Sequence, residues 1–100
     1  MTVYVVRYRY SEDSTSLDEH RPAHREFMQQ LADEGVLLIS GPWAGEGAPG
    51  ALIVLQASSA ELARGLMRDD PFQEQGLVEE VSVREWTPVK GALLGVFEGH

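Results

Sequence analysis

Two stretches of this chain, Val36-Leu37-Leu38-Ile39 and Leu52-Ile53-Val54-Leu55, are apolar at every position. Successive side chains of a β-strand point to opposite faces, so such runs need cover on both sides of a sheet. Beside them the sequence offers only two helices of useful length, enough to cover one face. The second face must meet something else, and the simplest candidate is the same face of a second copy. The chain therefore reads as a homodimer whose sheets pack face to face.

The remaining elements fit around that pair. Residues 3–10 read as a β-branched and aromatic strand, with Tyr4, Val6, Tyr8 and Tyr10 on one face and Val3, Val5, Arg7 and Arg9 on the other. Residues 11–19 read as a polar loop. A helix is expected over residues 21–34, with Pro22 in its first turn, Phe27, Met28 and Leu31 as its buried stripe, and Gly35 as its left-handed terminator. Strand 36–40 closes at Gly41-Pro42, and residues 43–50 form a Gly- and Pro-rich loop. After strand 51–56, Ser58 and Glu61 have the spacing of a capping box for a helix ending near Arg68. Asp70-Pro71-Phe72-Gln73 looks like a second cap, opening a short turn that Gly76 ends. The last strand spans residues 77–86.

The order β-α-β-β-α-β is that of an α+β protein, a ferredoxin-like antiparallel sheet with both helices on one face. One hundred residues make one domain. It is taken as residues 1–88, with residues 89–100 a tail that could cross to the dimer partner.

Composition removes several functions. Eight Lys and Arg stand against sixteen Asp and Glu, a net charge of −8, and a single Lys leaves no cationic track for nucleic acid or an anionic membrane surface. The aromatic RNA-binding signature is missing from Leu52-Ile53-Val54-Leu55. The absence of cysteine excludes disulfides, thiolate nucleophiles and sulfur-ligated zinc. The first residues lack the pattern of a signal peptide and no apolar run nears the ~20 residues of a membrane span, so a cytoplasmic location is expected. No Gly-rich phosphate loop, GxSxG elbow or HExxH motif is present.

Two residues carry the chemical interest. His24 falls at the start of the first helix on its inward stripe, and a free imidazole titrates near neutrality. Its plain alternative is a packing histidine bonded to a backbone carbonyl. Asp70 is accounted for as a helix N-cap, and gains a further role only beside His24. With strand 3 read as parallel to strand 1, Asp70 falls at the far end of the second helix, so connectivity does not join the pair. Residues 71–75 would have to fold back. Trp43, after Ser40-Gly41-Pro42, is either a half-buried turn residue or the apolar wall of a pocket. Tyr8, Tyr10 and Arg9 could line the same mouth, the Arg9 guanidinium orienting a polar or anionic ligand. His20 and His24 have the i, i+4 spacing of a metal pair, but no third ligand is evident and no metal is expected. His100 is terminal and expected to be disordered.

Arg21-Pro22-Ala23-His24, the helix end Asp33-Glu34-Gly35, Leu37-Leu38-Ile39-Ser40-Gly41-Pro42, Asp69-Asp70-Pro71-Phe72 and the closing Val81-Ser82-Val83-Arg84-Glu85-Trp86 together resemble the YCII-related domain family, YciI-like proteins of the dimeric α/β barrel superfamily. The resemblance covers about residues 1–88. It implies a ferredoxin-like domain that dimerises as an α/β barrel, with a His–Asp active site carried by His24 and Asp70. Phe72, in the same motif as Asp70, joins Tyr8, Arg9 and Trp43 as a substrate-binding candidate. One branch of the family eliminates chloride from a chlorinated hydroxyquinol without a cofactor, and relatives sharing the barrel include muconolactone isomerases and small monooxygenases.

The expected function is that of a cofactor-free dimeric enzyme. Its His–Asp acid–base pair would act on a small metabolite, such as an aromatic or lactone-like one, by elimination, isomerisation or hydrolysis. The alternatives are a small-ligand-binding or regulatory dimer and a purely structural dimerisation domain.

Overall fold

The computed structural model describes residues 1–97. Its elements are β1 (Thr2–Tyr10), α1 (Ser14–Asp33), β2 (Leu37–Pro42), β3 (Gly50–Ala57), α2 (Ala60–Arg68), α3 (Pro71–Glu74), β4 (Val78–Glu85) and α4 (Leu94–Phe97). The four strands form one antiparallel-paired sheet in the order β2-β3-β1-β4, a ferredoxin-like arrangement. Among the described residues no helix is long and apolar enough to cross a membrane. His100 lies outside the described residues.

Strand alternation sorts β1 as its sequence suggests. Tyr4, Val6, Tyr8 and Tyr10 are buried under the helices, while Arg7 and Arg9 are exposed on the opposite face. Their partners follow the same faces. Ile53 and Leu55 of β3 pair with Val6 and Tyr4, and Val81 and Val83 of β4 pair with Tyr8 and Val6. These residues, with Leu17, Met28 and Leu31 of α1, Ala63 and Met67 of α2 and Phe72 of α3, make a single core.

The first helix differs from its expected span. It begins at Ser14, not near Arg21, and the anticipated polar loop supplies its first turns. The Asp13 carboxylate accepts from the Ser16 N–H at 3.1 Å and from the Ser16 hydroxyl at 2.8 Å, satisfying donors that a helix start leaves open. Leu17 is buried and recurs with His24 and Leu31 at seven-residue intervals, two helical turns each, so the stripe starts a full heptad earlier than expected. Pro22 consequently lies inside the helix. The second helix is capped by Ser59, whose hydroxyl accepts from the Leu62 N–H, rather than by Ser58.

The two apolar runs part company. In β3, Ile53 and Leu55 are buried in the helix-side core, while on the opposite face Val54 is buried and Leu52 only half-buried. β2 is one of the sheet's two edge strands, and Ile39 is 59% exposed on the side away from the helices. An edge strand has a neighbour on one side only, which is why an all-apolar sequence there stays partly solvated.

Direction is the third difference. β3 runs antiparallel to β1. The helix after β3 therefore starts at the opposite end of the sheet from α1 and returns the chain to the end where β1 finishes. Asp70 arrives beside the N-terminal half of α1 by connectivity itself, which a parallel reading of strand 3 conceals.

Candidate active site

His24 and Asp70 meet. The imidazole Nδ1 lies 2.8 Å from Asp70 Oδ1 and 3.0 Å from Oδ2. The carboxylate is fully buried, and its other partners are donors: the Phe72 N–H at 3.0 Å to Oδ1 and the Tyr8 hydroxyl at 2.9 Å to Oδ2. An ionised carboxylate can only accept, so Nδ1 carries the proton of this hydrogen bond. In the neutral ring that leaves Nε2 with its lone pair, and no described residue bonds to it.

Each member is held by local structure. Asp70 caps α3 with extended backbone and Pro71 in the first turn, an N-terminus whose donors its carboxylate satisfies. Phe72, fully buried, anchors that short helix by packing edge-to-face on Tyr10 with centroids 5.3 Å apart. The Tyr8 hydroxyl donates to Asp70 and accepts from Gln73 Nε2 at 3.1 Å, so a chain of hydrogen bonds runs from Gln73 to His24. Burial and the Asp70 charge push the Tyr8 phenol far above its ordinary value, and the same two causes push Tyr10 up to about 12. Both phenols therefore stay neutral beside the carboxylate, and Tyr8 is the one that donates to it.

His24 faces a cavity of about 410 Å³ between α1 and the β2–β3 side of the sheet. Its rim carries Arg21 and Arg25 from α1 and Ser40 from β2, and its floor is apolar, including Met28, Leu37 and Ile53. The His24 side chain is 13% exposed, enough for its free edge to reach a bound molecule. A neutral imidazole backed by a buried carboxylate can take a proton at Nε2, and the carboxylate stabilises the imidazolium that results.

The other sequence candidates are placed differently. Tyr8 and Phe72 stand behind the imidazole, as its support rather than as the cavity wall. Arg9 and Trp43 do not join His24, because Arg9 lies on the alternate face of β1 and the chain turns Trp43 toward that face. There Arg9 pairs with Glu79 at 3.4 Å and Glu80 at 3.1 Å, and the Arg7 guanidinium lies 5.7 Å from the Trp43 ring. A second cavity of about 660 Å³ borders Arg7, Arg9 and Trp43 and contains no histidine. Among the described residues no group of three or more His, Cys, Asp or Glu side chains could hold a metal ion, so the His20–His24 spacing finds no third ligand. Sequence reasoning passed over Arg21, Arg25 and Gln73. For the two arginines the signal was the stripe 21, 24, 25, 28, which already lies within the expected helix 21–34, whereas Gln73 sits in the short helix α3 and was read only as part of its cap.

The fold and this pair define a class: a small ferredoxin-like α+β protein with a carboxylate-backed histidine at the edge of a cavity. The chain belongs to the YCII-related domain family, whose model matches residues 1–87. It is 32% identical over 99 residues to Protein YciI of Escherichia coli O6:H1 (strain CFT073), covering 87% of this chain and 98% of that one, with the same figures for Protein YciI of Shigella flexneri. Among solved structures it is similar to 5-chloro-2-hydroxyhydroquinone dehydrochlorinase from Burkholderia phenoliruptrix AC1100 in complex with 2,5-dihydroxybenzoquinone. The TM-score is 0.74 at 19% identity, covering 85% of this chain and 93% of that chain. At that identity the likeness establishes the fold.

Proposed function

We propose that the protein is a cofactor-free acid–base enzyme in which His24 Nε2 moves a proton on a small molecule held in the cavity beside it. The contact between His24 Nδ1 and the buried Asp70 carboxylate carries this reading. A packing histidine needs no buried charge behind it, and a cap needs no histidine in front. Asp70 fixes the tautomer and stabilises the imidazolium, which is a positioning and electrostatic role. Elimination, isomerisation and hydrolysis of an activated metabolite all require such a proton transfer, and positioned groups supply roughly 10²–10⁴ in rate. The dehydrochlorinase named above offers a first substrate class, chlorinated hydroxyquinols, beside other small activated phenols and lactones.

The working unit is proposed to be a homodimer joined through the sheet face away from the helices, where Ile39 is exposed and Val5 and Leu52 are half-buried. Turnover of the panel just named, followed by product formation, tests the acid–base reading. His24→Ala should abolish any turnover, and Asp70→Asn should lower it about 10²–10⁴-fold while the protein stays folded. Turnover unchanged in both variants overturns the proposal.

A further inference from the structure

We infer that the cavity beside His24 is built for a small organic carboxylate, with Arg25 as the principal anion anchor and Arg21 in support. The inference rests on the reading of this cavity as the reactive site and adds the chemical class of its ligand.

Charge is distributed unevenly over the molecule. The chain carries sixteen acidic residues against eight basic ones, so an average patch of its surface is negative. The cavity reverses that balance. Two arginines and a histidine line it and no Asp or Glu does, since Asp70 stands behind the imidazole. Helix geometry explains the cluster, because residues 21, 24, 25 and 28 fall on one stripe of α1 facing β2.

The two guanidiniums differ in availability. Arg21 is bonded to Asp18 at 3.3 Å and lies 5.8 Å from the Phe72 ring, so its charge is partly answered. Arg25 has no hydrogen bond or ion pair to any described residue. A planar guanidinium matches a carboxylate through two parallel hydrogen bonds, which a neutral amide of the same shape cannot reproduce. Opposite the arginines, Ser40 offers a hydroxyl, and Met28, Leu37 and Ile53 form an apolar floor. A ligand with a charged end at the rim and an apolar body over that floor meets both surfaces, with its body next to Nε2 of His24. The anion-orienting role that the sequence suggested for Arg9 thus falls to α1, because Arg9 is engaged with Glu79 and Glu80 on the other face.

Benzoate and benzamide, equal in shape and different in charge, test this on the full-length protein. Binding is read from the imidazole resonances of His24 by NMR titration. Benzoate should bind about tenfold more tightly than benzamide, the scale of one hydrogen-bonded charge. Arg25→Gln should remove that advantage and leave benzamide unaffected, while Arg25→Lys should restore part of it. Equal affinity for the two probes, benzoate binding unchanged in Arg25→Gln, or no response to either probe overturns the inference. The acid–base reading is decided separately by turnover in His24→Ala and Asp70→Asn, so either proposal can fail while the other stands.

Discussion

The imidazole of His24 lies flat on the phenyl ring of Phe72, with centroids 4.1 Å apart and planes 6° from parallel. The Phe72 N–H bonds to the same Asp70 carboxylate that accepts from the imidazole. Two residues of one tripeptide, Asp70-Pro71-Phe72, therefore constrain the ring twice. Asp70 fixes its direction within the plane and Phe72 fixes the plane itself. Such double restraint is what a proton-transferring group needs, since small misplacements cost rate steeply.

The buried carboxylate should matter to stability well beyond capping. Asp70→Ala removes the acceptor shared by the Tyr8 hydroxyl, the His24 N–H and the Phe72 N–H, and each buried donor left without an acceptor costs about 1–3 kcal/mol. Asp70→Asn keeps one carbonyl acceptor and should cost less, about 1–3 kcal/mol. Urea denaturation of the two variants measures both. A loss of only about 1 kcal/mol in Asp70→Ala, the usual value of an N-cap, would reduce the residue to a cap.

Alkali should expose the tyrosines around this charge. The Tyr10 phenol is pushed from 10.0 up to about 12, chiefly by burial, then by Asp70, with Arg21 opposing. A group whose folded value lies above its unfolded value stabilises the fold fully below the unfolded value. That contribution is then lost as pH climbs from about 10 through about 12, and Tyr8, pushed further by burial and Asp70, adds to the same fall. Phenolate absorbance and urea midpoints should both move in this window. Tyr10→Phe should flatten the fall, and a fall of unchanged steepness would refute the assignment.

Gly50 should resist any side chain. A Cβ there would sit 2.0 Å from the Tyr8 carbonyl oxygen and 3.1 Å from Trp43 Cδ1. The nearer atom is backbone of the strand that carries the Tyr8 hydroxyl to Asp70, so it cannot swing away. Gly50→Ala should cost about 1–3 kcal/mol, as overpacking does, and should weaken the Tyr8–Asp70 bond. Thermal unfolding checks the first effect and the alkaline titration of Tyr8 the second. An unshifted midpoint would mean that β1 and β3 separate freely at this point.

Much of this architecture was legible in the residues because it follows from period and punctuation. The alternation of β1, the Gly76 stop and the Asp70 cap are local facts, and the structure keeps all three. What escaped was non-local. Pro22 looked like a helix start because proline suits a first turn, yet the packing of Leu17 carries the helix through it. The His24–Asp70 contact depends on the direction of β3, a property of pairing across the sheet that no single segment encodes. The exposure of Ile39 depends on which strand ends up at the edge. Apolar runs alone do not specify that.

The open sheet face supplies the last prediction. Leu52 lies opposite Arg7 on β1 and Gly41 on β2, near the centre of the face away from the helices. Val5 and Val54 are paired on the same face and Ile39 extends it to the edge. If two such faces meet, a carboxylate at Leu52 enters a desolvated interface opposite its own symmetry mate, and like charges there cost several kcal/mol. Leu52→Glu should then halve the mass measured by light scattering while leaving the helix-side core and the His24 resonances intact. Residue 52 points away from that core, so a soluble folded monomer is the expected product. A wild-type protein that is already monomeric, or a variant that keeps its mass, would place the cover for this face elsewhere.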